Sequence, residues 1–258
     1  MIHFTEAQLT ALVGSYLWPF FRIAALATAM PFIGARTVPA RVRLSFALAL
    51  TVIIAPLVPQ VPAVSPLSPA GVVIVIQQVL IGLAMGFALQ LVFSVFVIGA
   101  QIISMQMGLG FASMIDPQSG ASVPVVGQFF MILATLIFLA LDGHLVLIEI
   151  LVDSFQTLPI SESGLGANGY WQIVAWGSEM FASAVMVALP AMAALLLVNL
   201  SFGVMTRAAP QLNIFAVGFP ITIILGFVIL YFTLPGMIAM MESMFSINLD
   251  MIARLVGG

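Results

Sequence analysis

The residues best suited to proton chemistry in this chain are Asp142, His144 and Glu149, which fall together in "LDGHLVLIE" at 141–149. An imidazole flanked by two carboxyls is able to act as a general acid–base group or a proton relay. Ionisable side chains at membrane depth are functional candidates by default. Asp-Gly is also an ordinary turn, and here it lies where the apolar block 122–160 has to break. The residues by themselves therefore favour a structural turn over proton handling, and proton handling over catalysis.

Nothing else in the chain assembles into a reaction centre. It has no metal-ligand cluster, phosphate-cradling glycine loop or nucleophile elbow. "GLGFAS" (108–113) superficially matches a dinucleotide fingerprint, but it follows no βαβ pattern and lacks the third glycine at the required spacing. Cysteine is absent, so disulfides and thiolate metal sites are excluded. No cofactor or metal is expected, and the expected role is non-enzymatic. All six cations are arginine. Arg22 sits inside the first apolar block near Pro19, where it must either snorkel or pair with an acid or a helix end; pairing with another subunit is the preferred expectation. Arg36, Arg41 and Arg43 are expected to anchor topology, with acidic partner surfaces as the alternative. His3, near the terminus, is expected to face solvent.

The elements that must hold these residues are apolar. Of the 258 residues 63% are hydrophobic and 6% charged, against roughly 25% charged in soluble domains. Such a chain belongs in a membrane. A net charge of −3 with no basic run argues against nucleic acid. The opening "MIHFTEAQLTALV" lacks a basic n-region and a small-residue cleavage site, so the N-terminus is expected to be retained.

Apolar blocks long enough to span a bilayer fall at about 8–33, 42–58, 71–107, 122–160, 171–205 and 214–245. Two are too long for a simple span. Pro19, Pro56, Pro190, Pro220 and Pro235 interrupt helical hydrogen bonding inside blocks, which is tolerated at membrane depth only where packing compensates. Overlong, kinked helices suggest a chain built into a larger assembly. The uncharged, proline-rich "VPQVPAVSPLSP" (58–69) and the Gly/Ser-rich "SESGLGANG" (161–169) read as linkers. The loop "GARTVPARVR" (34–43) carries three arginines and Arg207 marks another loop, which puts both on the cytoplasmic side.

On the long helix expected over 71–107, Gln90, Ser94, Gln101 and Ser104 share one side within about 80°, with Gly86 and Gly108 beside them. A small and polar stripe means close helix packing, with a water-lined path as the second reading. It leads into "QMGLGFASMIDPQSG" (106–120), which ends a charge-free run from Leu44 to Ile115. Met105, Met107 and Met114 are adaptable thioethers and Phe111 is a bulky apolar group. Gly108 and Gly110 let the backbone bend, and Asp116-Pro117 ends the segment as a cap or turn. From these residues alone, a static packed loop is preferred to a moving one.

Four stretches taken together resemble the FliR family, export-gate proteins of the bacterial flagellar type III secretion system. They are "PFIGARTVPARVRLSFALALTVIIAP" (31–56), "QMGLGFASMIDPQSGASVPVVGQFF" (106–130), "LALDGHLVLIE" (139–149) and "APQLNIFAVGFP" (209–220). Residues 188–237 also look like the helical hairpin of the small subunit FliQ, with Gln211 and Asn213 at its turn, and the preceding part looks like FliP. The resemblance implies an all-α fold of membrane-associated helical hairpins. A FliP-like unit over 1–175 would contain the candidate plug loop 106–120, and a FliQ-like hairpin with a C-terminal tail would occupy 176–258.

The same resemblance implies a core subunit of the flagellar export gate in the bacterial inner membrane, at the basal body. Its partners would be FliP-like and FliQ-like subunits, FlhB and FlhA, with unfolded flagellar proteins passing through. It implies a plug or gasket made by Met105, Met107, Phe111, Met114 and Asp116. Contacts to partners are expected at Arg22, Arg41, Arg207, Gln211 and Asn213, with a plain hydrated turn as the equal alternative for the last three. The alternatives are an injectisome subunit, a stand-alone secondary transporter, for which the sequence lacks an internal repeat, and a membrane enzyme resting on Asp142, His144 and Glu149.

Overall fold

The computed structural model describes residues 6–59, 61–109, 125–209 and 214–257. Among these residues the chain is all-α. The helices are α1 (Glu6–Ala29), α2 (Ala40–Ile54), α3 (Pro69–Gln106), α4 (Val125–Ala140), α5 (Gly143–Thr157), α6 (Ala167–Ala208) and α7 (Ile214–Gly257), with a 3-10 turn at Ala55–Leu57 after α2. Among the described residues, five helices are long and apolar enough to cross a membrane, and α4 with α5 supplies a sixth span if the pair forms one broken crossing. At 38, 42 and 44 residues, α3, α6 and α7 each exceed the ~20 residues that a bilayer core needs.

Local chemistry sets the helix starts and stops. The proline-rich linker ends at Ser68, whose hydroxyl accepts a 3.1 Å bond from the Gly71 amide and donates a 2.7 Å bond to the Ser65 carbonyl. Pro69 follows at the first helical position, where its missing N–H costs nothing. The apolar block 122–160 breaks at Asp142, which takes a left-handed conformation (φ 55°) rarely adopted by residues other than glycine. Its carbonyl accepts bonds from the Leu145 and Val146 amides at 2.8 and 3.1 Å, which starts α5.

The chain divides into two compact units. The first takes α1, α2, α3 up to Val92, α5, the start of α6 to Gly177, and the end of α7 from Phe245. Within it α1 and α3 approach closely. A Cβ placed on Gly86 would stand 2.5 Å from the Ala29 Cβ and 3.1 Å from the Leu26 carbonyl oxygen. On Gly82 it would meet the Arg22 carbonyl oxygen and stand 2.9 Å from the Ala25 Cβ. Gly82 and Gly86, one turn apart, therefore form a small-xxx-small seam that lets the two backbones approach. Gly86 belongs to the small-and-polar stripe of the sequence, and close packing is its role.

The C-terminal end of α7 extends beyond the apolar block seen in the sequence. Phe245, Asn248, Leu249, Ile252, Leu255 and Val256 are buried at helical spacing, while Ser246, Asp250 and Arg254 are exposed. Asn248 donates a 3.0 Å bond to the Ala88 carbonyl.

The second unit holds α3 from Phe93, α4, α6 from Ser178 and α7 to Met244. Phe93 meets Phe138 edge-on with ring centroids 5.7 Å apart. Gly99 lets α3 approach α6, where a Cβ would stand 3.1 Å from the Ala184 carbonyl oxygen. On α4, Phe130, Ala134 and Phe138 are buried while Phe129, Ile132 and Leu136 are exposed. Both faces are apolar, as expected of a helix surrounded by lipid or protein on every side.

The α1–α3 seam predicts that Gly86→Val forces the helices apart. The loss should be about 1–3 kcal/mol, the scale of overpacking, read as a lowered thermal midpoint of the detergent-solubilised protein. A midpoint equal to that of the unmodified chain would show that the seam is looser than described.

Candidate channel segment and its anchors

The segment 106–120 leaves α3 from a tightly built end. The Gly108 amide bonds the Met105 carbonyl at 3.0 Å and the Leu109 amide reaches back to the Ser104 carbonyl at 3.1 Å. With Gly108 at φ 82°, this is a Schellman cap, in which two otherwise unpaired helix carbonyls are satisfied. The Gln106 carbonyl accepts a 3.2 Å bond from the Asn199 side-chain amide on α6. A Cβ on Gly108 would stand 2.8 Å from the Phe219 ring of α7, so the position needs glycine for conformation and for space.

The two methionines of this end have different surroundings. Met107 is fully buried and lies against Gly226 of α7, where a Cβ would stand 2.5 Å from its Cγ. Met105 is 66% exposed. Beyond the segment, Val125 is 80% exposed at the start of α4. Leu109, Val125, Phe129, Phe227 and Tyr231 line an apolar cleft of about 560 Å³ at both roots of the segment. Phe111, Met114 and Asp116 lie outside the described residues, as do Gln211 and Asn213.

Arg22 is fully buried and meets a helix end of its own chain. Its Nη1 donates to the Ser154 carbonyl at 2.7 Å and to the Ser154 hydroxyl at 3.0 Å. Nη2 donates to the Leu158 carbonyl at 2.8 Å, and Nε to the Gln78 side-chain oxygen at 2.9 Å. The guanidinium carbon stands 4.3 Å from the centre of the Phe155 ring. A cation therefore closes the C-terminus of α5, where helix carbonyls lack partners and the helix dipole is negative, with a cation–π contact beneath it. Gln78 and Ser154 are fully buried and did not stand out in the sequence. A polar residue on an apolar helix was their only signal, and it does not identify the partner.

The remaining polar residues are more dispersed. Asp142 and Glu149 are exposed and His144 is half-buried. His144 and Glu149 are five positions apart, about 140° around α5, so they do not face a common point. Arg36 is exposed in the loop before α2, Arg41 is exposed in the first turn of α2, and Arg207 is exposed in the last turn of α6, where a cation suits the dipole. Among the described residues, no group of three or more His, Asp or Glu side chains is placed to hold a metal ion.

Two anchors give testable expectations. Gly108→Ala should cost about 1–2 kcal/mol from the left-handed conformation alone, with more from the Phe219 ring, and Asn199→Ala about 1 kcal/mol. Both should lower thermal stability, and a Gly108→Ala chain as stable as the original would refute the cap. Arg22→Leu leaves the Leu158 carbonyl without its donor and the Ser154 carbonyl with the Leu158 amide alone, a loss of at least about 1.5–3 kcal/mol, the scale of one charge-assisted hydrogen bond. Arg22→Lys keeps the charge without the planar fork, and its stability should fall between those of the unmodified and Arg22→Leu chains. Equal midpoints for the unmodified chain and both substituted chains would show that the cage contributes nothing.

Comparison with known proteins adds to this geometry. Residues 13–247 match the family described as bacterial export proteins, family 1. The chain is 38% identical over 256 residues to the flagellar biosynthetic protein FliR of Pectobacterium carotovorum subsp. carotovorum, covering 99% of this chain and 98% of that protein. Against the FliR of Escherichia coli (strain K12) the identity is 38% over 258 residues, with 99% and 98% covered. The FliR of Bacillus subtilis (strain 168) is 30% identical over 245 residues, covering 94% of each. With a match that runs nearly end to end, and an all-helical architecture rich in spans, the chain belongs to the FliR family of bacterial export proteins.

Proposed function

We propose that this chain is a non-enzymatic core subunit of the flagellar type III protein export gate, held in the bacterial inner membrane at the flagellar basal body. The observation that carries this reading is the near end-to-end likeness to FliR proteins. The apolar surface supports it. Leu196, Leu197, Leu200 and Val204 on α6 and Tyr231 and Phe232 on α7 are all exposed, as expected where neighbouring helices or lipid complete the packing. The proposed partners are FliP-like and FliQ-like subunits, FlhB and FlhA, with residues 1–175 as the FliP-like part and 176–258 as the FliQ-like part. Arg207, Gln211 and Asn213 are proposed to meet partners on the cytoplasmic side. Arg22 is engaged inside its own chain, so its contribution is to hold α5 in place.

The segment 106–120 is proposed to plug the closed channel. Its roots support this: the end of α3 is capped and bonded to α6, while Met105 and Val125 leave apolar side chains exposed at either end. Met105, Phe111 and Met114 would seal by filling space, Asp116 would end the loop, and Met107 would hold its base. Deleting residues 110–115 should leave assembly with the partner subunits intact and make the membrane leaky to small ions. Phe111→Ala should leak at least as much as Met105→Ala or Met114→Ala. Conductance normalised to assembled complex is the measurement. An assembled gate that stays ion-tight after the deletion rules out the plug, and loss of assembly without leak supports a static packing loop.

A further inference from the structure

We propose that the groove between α1 and α2 holds an acyl chain of one anionic phospholipid whose phosphate is met by Arg41. The groove has a volume of about 810 Å³ and is lined mainly by Leu12, Val13, Tyr16, Leu48, Thr51 and Val52. Five of these side chains are exposed, and only Thr51 is buried. The Thr51 hydroxyl is already bonded to the Ala47 carbonyl at 2.7 Å, so it makes no demand on an occupant. What the groove offers is almost wholly apolar. Its volume falls within the range of small-molecule clefts, about 300–1,000 Å³.

Charge identifies the kind of amphiphile. Arg41, Leu44, Leu48, Thr51 and Val52 share one side of α2 within about 100°. Arg41 is exposed and lies two turns before Leu48, about 10 Å along the helix axis. Arg36 is exposed in the preceding loop. Between Glu6 and Asp116 the sequence contains four arginines and no carboxylate, so this part of the chain supplies no counter-charge of its own. Arg22 is already occupied within the first unit. A cation two turns along α2 from an apolar trough, both on helices of span length, fits a phosphate headgroup above a hydrocarbon tail. The arginine-rich loop is the part assigned to the cytoplasmic side, the leaflet that carries anionic lipid. Arg41 thereby acquires a ligand in addition to its anchoring role.

The test uses the full chain, extracted in mild detergent from membranes containing the export-gate partners, with native mass spectrometry as the readout. Phosphatidylglycerol and phosphatidylcholine are the probes. The chain should retain one phosphatidylglycerol about fivefold better than phosphatidylcholine, the scale of one arginine at an anionic headgroup. Inorganic phosphate should not displace it. Arg41→Gln should abolish the preference between headgroups, and Leu48→Trp, which fills the trough, should remove both lipids. Equal retention of the two lipids by the unmodified chain, or retention untouched by both substitutions, would overturn the proposal. A photo-reactive residue at Val52 in otherwise unmodified chain supplies a readout independent of variant folding: a lipid adduct supports the site, and a protein adduct assigns the groove to a partner subunit.

Discussion

Much of this structure follows from one constraint: a chain with so little charge, embedded among apolar groups, must satisfy its backbone carbonyls and amides from within. Helix interiors do so automatically, and helix ends do not. Several of the buried or partly buried polar side chains are accordingly spent on backbone. Ser68 caps the start of α3. Asn199 covers the Gln106 carbonyl at its end and Arg22 covers two carbonyls at the end of α5, while Asn248 adds a bond to the Ala88 carbonyl inside α3. Each bond crosses from one segment to another except the Ser68 cap. The groups that complete the backbone therefore also fix which helices lie side by side.

Between these bonds, packing depends on small residues. An apolar helix gains little from meeting another apolar helix when lipid is the alternative, so close approach has to supply the attraction through dispersion. Gly82 and Gly86 allow that for α1 and α3, Gly99 for α3 and α6, and Gly226 for the Met107 side chain. The two kinds of contact act together. At Arg22, the backbone carbonyl lies against Gly82 while the side chain closes α5, so a single residue couples α1 to two neighbours.

Sequence periodicity and composition made the helical blocks, the proline-rich linker and the break at Asp142 legible, because each has a local cause: apolar length, missing amide protons, a turn-forming pair. The stripe on α3 correctly indicated close packing at Gly86. The end of α7 was not legible as a span because Asn248, Asp250 and Arg254 dilute its hydropathy, although its buried positions recur at helical spacing. Arg22 shows a deeper limit. A buried cation demands acceptors, and the sequence names many acceptors without saying which are near. A partner in another subunit was the natural expectation, yet the carbonyls of Ser154 and Leu158, more than 130 positions away, provide the acceptors. Backbone acceptors exist at every residue, so composition cannot reveal them.

The two methionines at the end of α3 illustrate the same limit at the candidate site, and bear on what a plug requires. They are chemically identical and two positions apart, but α3 turns about 200° between them, which puts one against Gly226 and the other outward. A sealing segment needs this division of labour. The free energy of closing a loop grows only slowly with its length, so length by itself decides little about sealing. Sealing instead depends on where the apolar side chains are held, and that depends on the roots. A buried Met107, a glycine cap against Phe219 and an amide bond from Asn199 fix the departure point of the segment. Adaptable groups beyond a fixed root can repack around a passing chain without loosening the helices that carry them.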